Sequence, residues 1–161
     1  MIKKVDEKDI SSCVAVIRES FYTVANDFGF TIENAPRFTA FATTEDRLRW
    51  HFFKENRPMF AFYDCGVMVG YYSLLLKKDK ECEMSNLCVL PAQRHKGIGE
   101  KLLKHAFDVA KELNYEQISI GIVEENKVLR DWYESFGFVH IGTEKFEFFP
   151  FTCGYMKKIL I

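Results

Sequence analysis

The chain has 161 residues, 48% of them hydrophobic, which is enough for one full core but short for two, so we expect a single domain over residues 1–161. Its formal net charge of −1 at pH 7 argues against nucleic acid or an anionic membrane as a partner, because both need a clustered excess of basic residues. No apolar run reaches the ~20 residues of a membrane helix, and the first residues turn acidic before a signal-peptide core forms, so we expect a cytoplasmic protein.

The first third of the chain predicts a strand and two helices. Residues 1–5 are typical of a short strand. Behind Asp9 as a possible cap, apolar residues recur at helical spacing and predict a first helix: Ile10, Cys13, Val14, Ile17, Phe21 and Val24. Residues 43–46 combine a capping hydroxyl with early acidic residues, which predicts a second helix that ends near Pro58.

Three antiparallel strands are predicted to follow. The β-rich runs 59–63 and 67–76 are separated by Asp64-Cys65-Gly66, and an Asp…Gly turn between such runs indicates a hairpin. The turn at 77–80 then leads into a third strand over about 81–90.

The C-terminal half predicts two more helices and three more strands. The third helix has one apolar face, made by Ile98, Leu102, Leu103, Ala106, Phe107 and Ala110. Isoleucines alternate over 118–122, and a strand, helix and strand in succession imply a locally parallel pair. A last helix over 128–136 ends at Gly137, and strands at about 138–148 and 154–160 end the chain.

The turn between the third strand and the third helix has the composition of a phosphate site. The first N–H groups of a helix have no internal partner, and the helix dipole leaves partial positive charge there. Gly97 and Gly99 let an anion approach the main chain, and Arg94 and Lys96 add full charges beside it. The sequence therefore predicts a site for a di- or polyphosphate.

Two common nucleotide-binding turns do not fit this segment. A P-loop closes with Gly-Lys-Ser/Thr, which neither Lys96-Gly97 nor Gly99-Glu100 supplies. A Rossmann turn needs a third small residue where Leu102 stands. Both interpretations are excluded.

The pattern Arg94-x-x-Gly97-x-Gly99 resembles the Gln/Arg-x-x-Gly-x-Gly/Ala pyrophosphate loop of the GCN5-related N-acetyltransferase superfamily. The strand before it, Leu87–Pro91, matches the family's Leu-x-Val-x-Pro-like run. Four further residues match the family's last third in order and spacing: Asn126, Tyr133, Gly137 and Phe138. The resemblance covers about the C-terminal half of the chain.

The resemblance implies an α/β (α+β) fold with a mixed, largely antiparallel sheet of about six or seven strands, a splayed parallel pair and about four helices. It also implies acetyl-CoA as cofactor and CoA as product, with the pantetheine arm bound in the gap of the splayed pair through backbone groups. The implied cofactor-binding residues are Leu87, Cys88, Val89, Arg94, His95, Lys96, Gly97, Ile98, Gly99, Asn126 and Tyr133.

Acetyl transfer to an amine needs a base, because an amine with a pKa near ~10 is mostly protonated at neutral pH. Glu83 is the candidate base and Glu81, which shares its face of the strand, is the rival; each is otherwise a solvated carboxylate. A backbone N–H of Leu87 or Cys88 is the natural donor to the oxyanion.

The resemblance assigns Tyr133 as the acid that protonates the leaving thiolate, although a core aromatic with its hydroxyl at the rim fits the same residue. Asn126 is expected to contact the cofactor, to cap the last helix, or to do both. Cys88 is placed beside the thioester, and packing within the strand is the simpler interpretation.

Neither the cysteines nor the histidines form a metal-binding pattern. The five cysteines include no C-x-x-C pair, and we expect them to be reduced. The histidines show no ligand spacing at His51, His95, His105 and His140. No metal is expected.

In similar enzymes the acceptor pocket lies between two segments that here are rich in phenylalanine, residues 26–42 and 146–152. This density predicts an aromatic-lined pocket, with Glu33 or Glu147 attracting a cationic amine. The alternative is that the rings cover the sheet or form a dimer contact.

The resemblance implies an acetyl-CoA-dependent N-acetyltransferase that acts on a primary amine of a small molecule or peptide by direct attack in a ternary complex. A catalytically silent sensor of acetyl-CoA or CoA is the alternative. An interaction module that binds phosphate on another macromolecule is disfavoured by the near-neutral charge. Homodimers are common among similar proteins, so a homodimer is expected.

Overall fold

A seven-stranded mixed sheet joins the two halves of the chain, and the computed structural model describes all residues from Met1 to Ile161. The strands are β1 (Ile2–Lys4), β2 (Met59–Asp64), β3 (Val67–Leu76), β4 (Glu81–Val89), β5 (Gln117–Val123), β6 (Val139–Lys145) and β7 (Thr152–Ile159). The helices are α1 (Ile10–Phe28), α2 (Thr39–Ala42), α3 (Glu45–Phe53), α4 (Ile98–Glu112) and α5 (Lys127–Ser135). None of them has both the length and the apolar character that crossing a bilayer requires.

The strand order is β1-β2-β3-β4-β5-β7-β6, and every neighbouring pair is antiparallel except β4 with β5. The predicted mixed sheet with one parallel pair is thus confirmed. The predicted hairpin is confirmed as well, because Cys65 and Gly66 both have positive φ, 49° and 78°, as a two-residue turn between twisted strands requires.

The two faces of the sheet carry separate cores. Cys82, Met84 and Ile118 lie in the core that α4 covers, together with Leu102 of that helix. A second core lies under α1 and α3 and includes Val5, Ile10, Cys13, Ile17, Leu48, Met59 and Tyr71. Because side chains alternate along a strand, Glu81 and Glu83 share the opposite face from Cys82 and Met84, as predicted, and this is the face that α1 covers.

The start of α1 differs from the prediction. Asp9 does not cap the helix with its side chain. A 3₁₀ turn over Glu7–Asp9 precedes the helix, and Asp6 caps that turn by accepting the N–H of Glu7 at 2.8 Å. The extra turn moves the cap three residues upstream, and Asp9 accepts the N–H of Asp6 at 3.0 Å.

Two element boundaries and one additional helix also differ from the prediction. The capping hydroxyl of Thr44 accepts the N–H of Arg47 at 3.1 Å, as expected at the start of α3, but the helix ends at Phe53, five residues before Pro58. The short helix α2 was not predicted. Strand β6 ends at Lys145, because the residues after it turn back into β7.

Candidate active site

The strands β4 and β5 separate soon after they meet. They pair only over Glu81–Glu83 with Gln117–Ser119. Beyond that point β4 stays paired with β3 as far as Val89, and β5 stays paired with β7 as far as Val123. The predicted splayed pair is therefore present, and it opens a gap with backbone groups along both sides.

A bulge in β4 changes which face its residues point to. The register with β3 shifts between Tyr71 and Ser73, and Asn86 in the facing segment has a φ of 59°. Met84, before the bulge, lies in the core under α4, whereas Cys88, an even number of residues later, lies in the core under α1. The bulge thus re-aims the strand where it borders the gap.

Backbone direction after the bulge identifies the groups that face the gap. Leu90 donates its N–H to the carbonyl of Val69 on β3 at 2.8 Å. Because the polar groups of successive residues point to opposite neighbours, those of Cys88 are directed at β3, and those of Leu87 and Val89 are directed into the gap. Of the two candidate oxyanion donors, the N–H of Leu87 faces the gap and the N–H of Cys88 faces β3.

The turn before α4 presents free amides. Gly97 has a φ of 81°, a left-handed conformation that favours glycine, and His95 has a φ of 64°. The first helical hydrogen bond runs from Lys101 N–H to the Gly97 carbonyl at 3.1 Å, so the N–H groups of residues 98–100 have no acceptor within the helix. Lys96 is exposed beside them. This arrangement suits an anion.

The guanidinium of Arg94 forms hydrogen bonds within the protein and does not point toward the free amides of the turn. It donates to the Val89 carbonyl at 3.1 Å, to the Thr23 hydroxyl at 3.0 Å and to the Ser20 carbonyl at 2.9 Å. These three acceptors lie on β4 and α1. We therefore assign Arg94 to holding the turn in shape, in place of the expected charge beside a phosphate.

If Arg94 holds the turn, Arg94→Lys should lower the free energy of unfolding by about 2 kcal/mol, as measured by urea denaturation. A single ammonium cannot replace a planar fork that bonds three acceptors, so keeping the charge does not rescue stability. Lys96→Gln, which removes an exposed charge from the same turn, should leave stability unchanged. Wild-type stability of Arg94→Lys would contradict this assignment.

Tyr133 lies on α5 with its ring buried in the core under α4, packed edge-to-face against Trp132 and Phe138. Burial raises the pKa of Tyr133, and the nearby Cys88 adds to the rise. The phenol therefore stays protonated at neutral pH. A core aromatic and a proton donor are compatible at this position.

The two candidate bases differ in their partners. The carboxylate of Glu81 forms an ion pair with Lys157 at 2.6 Å. Glu83 is 3.8 Å from Lys77, which leaves it less firmly held. Burial and the Glu144 carboxylate, which accepts a hydrogen bond from the Tyr155 hydroxyl at 3.0 Å, raise the pKa of Tyr155 to about 12, with smaller contributions from Cys153 and Glu83.

An aromatic cavity of about 250 Å³ opens on the face of the sheet that α1 covers. Its lining residues are Phe21, Val24, Arg37, Phe38, Thr39, Gly121, Ile122, Val123, Asn126, Leu129, Phe149, Phe151, Cys153 and Tyr155. Both predicted segments contribute, through Phe38 and through Phe149 and Phe151. Phe30 instead packs behind the lining, with its ring centroid 4.8 Å from that of Phe151.

Asn126 serves as the predicted cap of α5, because its side-chain oxygen accepts the N–H of Leu129 at 3.2 Å. It also lines the aromatic cavity. The contribution of Gly121 and Tyr155 was not predicted. A glycine in an otherwise apolar strand, which commonly marks close approach of another group, was the available sequence signal for Gly121.

The expected carboxylates are absent from the aromatic cavity. Neither Glu33 nor Glu147 lines it, and its one charged side chain is Arg37. Glu33 lies in a turn closed by reciprocal hydrogen bonds between Thr31 and Asn34, and both glutamates are exposed. The prediction of a cation-attracting wall made by these residues is wrong.

The chain is similar to known acetyltransferases. The model of the acetyltransferase (GNAT) family matches residues 20–138. The chain is 23% identical over 154 residues to an uncharacterized N-acetyltransferase in the pepI 3'region of Lactobacillus delbrueckii subsp. lactis, covering 90% of this chain and 87% of that protein. It is 33% identical over 64 residues, 40% of this chain, to GCN5-related N-acetyltransferase 6, chloroplastic, of Arabidopsis thaliana, and this match spans only 22% of the plant protein.

The fold also matches a solved structure. The PaiA N-acetyltransferase of Thermoplasma acidophilum, crystallised in complex with coenzyme A, superposes with a TM-score of 0.85 at 18% identity. The match covers 99% of this chain and 98% of that one.

Proposed function

The chain belongs to the acetyltransferase (GNAT) family, and we propose that it transfers the acetyl group of acetyl-CoA to a primary amine of a small molecule or peptide. Acetyl-CoA is the cofactor of this family. The observation that carries the proposal is the gap where β4 and β5 separate, with free amides at the start of α4 beside it.

The residues of the gap fit the parts of this cofactor. In the proposal the N–H groups of Ile98, Gly99 and Glu100 bind the diphosphate, helped by the left-handed turn at His95 and Gly97. The N–H of Val89 and the carbonyl of Leu87, both directed into the gap, pair with the amides of the pantetheine arm, as an added strand would, and the N–H of Leu87 stays free for the acetyl oxygen. Asn126 lines the aromatic cavity together with Gly121 and Ile122 of β5, the strand on one side of the gap. Bound acetyl-CoA supplies an acetyl group activated as a thioester.

Three groups of the chain then handle protons and charge. Glu83, directly or through a water, accepts a proton from the ammonium form of the acceptor, and the neutral nitrogen forms a bond to the acetyl carbon. The N–H of Leu87 donates to the acetyl oxygen while negative charge develops there. The carbon–sulfur bond breaks, and Tyr133 donates its proton to the departing sulfur. The nitrogen then loses its second proton, which returns through solvent to restore the Tyr133 phenol.

The protonation of the Cys88 thiol supports direct attack of the amine in a ternary complex and argues against an acetyl-cysteine intermediate. Burial raises the pKa of Cys88 to about 12, against smaller opposing effects from the Ser20 hydroxyl and Arg94. A thiol with such a pKa carries almost no thiolate at neutral pH, and the thiolate is the nucleophile.

Glu83→Gln should lower kcat about 100-fold at saturating acetyl-CoA, because the amide cannot accept the proton. Glu81→Gln is the matched control: it makes the same change two residues away on the same face, where the carboxylate is already paired with Lys157. Steady-state thiol release measures both variants. Equal rates for the two would contradict the assignment of Glu83 as base.

The function itself is tested by acceptor-dependent release of CoA thiol, measured with a panel of amines, polyamines, amino acids and short peptides. We expect release with at least one class and an acetylated product by mass spectrometry. Tight binding of acetyl-CoA with no turnover on any acceptor would instead indicate a silent sensor. The cytoplasmic location and the homodimer stay predictions.

A further inference from the structure

A second cavity, of about 180 Å³, adjoins the aromatic cavity and shares Arg37 and Thr39 with it. Only one of its nine lining residues is hydrophobic. The residues that matter for its chemistry are Arg37, Arg47, His51, Arg57, Ser85 and Asn86. We refer to it as the basic cavity.

The basic cavity carries an excess of positive charge. Three arginines line it and no carboxylate does. Arg57 is offset by an ion pair with Glu55 at 3.1 Å. Arg37 lies over the ring of Phe148, 4.2 Å from the ring centroid, a contact that leaves its charge uncompensated. Because arginine stays charged at any physiological pH, two positive charges converge here without an anionic neighbour in the lining.

His51 gives a second, independent indication of a ligand. His51 lines the basic cavity, the residue is 8% exposed, and its Nδ1 is buried with no hydrogen-bond partner. Burial and then Arg57 lower the pKa of His51 to about 4, against a smaller opposing effect of the Glu55 carboxylate, which lies 3.7 Å from Nε2, so the ring is neutral. In the tautomer protonated at Nδ1, the unpaired nitrogen is a donor. Buried polar atoms are nearly always paired in folded proteins.

The basic cavity lies beside the proposed reaction centre. Ser85 and Asn86 line it, and Leu87, the proposed oxyanion donor, follows directly in β4. Two residues of strand span roughly 7 Å. An acceptor with a few bonds between its amine and another polar group can therefore place the amine at the reaction centre and the other group in the basic cavity. Glu83 lies on the same face, two residues before Ser85.

We propose that the acceptor amine carries an oxyanion, a carboxylate or phosphate, which binds in the basic cavity to Arg37 and Arg47 while the amine lies near Glu83. This inference rests on the proposed function for the position of the amine. It replaces the cation-attracting wall expected from the sequence with an anion-attracting one. Fork-shaped guanidinium groups suit both oxyanions, so the chemistry alone does not separate them.

The test compares acceptors that differ only in the anion. Amino acids are assayed against their C-terminal amides, and O-phosphoethanolamine against ethanolamine, by thiol release from acetyl-CoA. We expect at least tenfold higher kcat/KM for the anionic member of one pair, and which pair responds distinguishes carboxylate from phosphate. Equal or faster reaction of the neutral members, or a preference for polyamines, would overturn the proposal.

Two variants test whether the preference for anionic acceptors arises in the basic cavity. Arg47→Gln should reduce the preference for the anionic acceptor about tenfold. Arg49→Gln, on the same helix but paired with Glu7 on the protein surface, should leave the preference unchanged. A preference that survives Arg47→Gln intact would contradict a site in the basic cavity.

A binding measurement separates this inference from the proposed function. Calorimetry with the same acids and amides, in the presence of CoA, reports binding whether or not turnover occurs. Binding of an anionic probe that Arg47→Gln weakens, without any thiol release, would support the basic cavity and contradict the proposed enzyme. Absence of both binding and release for every anionic probe would overturn the inference.

Discussion

Tyr133→Phe is expected to lower kcat about 100-fold and to leave the dissociation constant of CoA within about twofold of wild type. The substitution removes only the hydroxyl, so the packing of the ring against Trp132 and Phe138 is kept. Because burial raises the pKa of Tyr133, the phenol is protonated at neutral pH and has a proton to give to the leaving sulfur. Steady-state thiol release and calorimetry with CoA measure the two quantities.

Tyr63→Phe is the matched control, because it makes the same change on β2, across β3 and β4 from the gap. It should leave both quantities unchanged. If Tyr133→Phe also retained full kcat, Tyr133 would be a core aromatic without a role in proton transfer. A lower free energy of unfolding together with a lower kcat would indicate damage to the core, so urea denaturation accompanies the assay.

Gly97→Val is expected to weaken CoA binding more than tenfold. The left-handed conformation of residue 97 costs a β-branched residue about 1–3 kcal/mol, and the turn relieves that strain by moving the amides at the start of α4. Because the proposed diphosphate contacts are made by those amides, their displacement reduces affinity directly. Calorimetry with CoA gives the dissociation constant.

Gly66→Val provides the control for backbone strain. Gly66 also has a positive φ, and like Gly97 it has open space where a Cβ would lie, but it sits in the turn between β2 and β3. Both variants should lose similar stability, and only Gly97→Val should lose CoA affinity. Equal CoA affinities in the two variants would contradict a role for the turn in binding.

The parallel pair could be predicted because two strands joined by a crossover helix pair in parallel in almost all cases. The apolar side of β5, which contains Ile118, and the apolar face of α4, which contains Leu102, indicate which surfaces pack together. The extent of the gap could not. It depends on where β4 leaves β5, and on a bulge at Asn86 whose only sequence signal is that asparagine tolerates a positive φ.

The role of Arg94 shows a second limit of the sequence. A basic residue in a phosphate-binding pattern suggests charge, yet the acceptors that hold Arg94 include Thr23 and Ser20, more than seventy residues away in the chain. Contacts at such separation follow from the packing of α1 against the sheet. Local spacing does not contain them.

The charge of the acceptor region was mispredicted for a related reason. Glu33 and Arg37 lie four residues apart in one loop, and composition does not say which side chain faces inward. The side-chain hydrogen bonds between Thr31 and Asn34 form a local turn, and only Arg37 contributes to the cavities. Aromatic density predicted the nature of the walls correctly, because most large rings must be buried.

The central claim is that main-chain amides around the gap bind the cofactor. Amide hydrogen exchange resolved to single residues, with and without CoA, tests it most directly. We expect slower exchange at Ile98, Gly99 and Glu100 and at Leu87 and Val89, because bound phosphate and pantetheine groups would accept or shield these N–H groups. Unchanged exchange at all five residues, with protection elsewhere or nowhere, would contradict the claim.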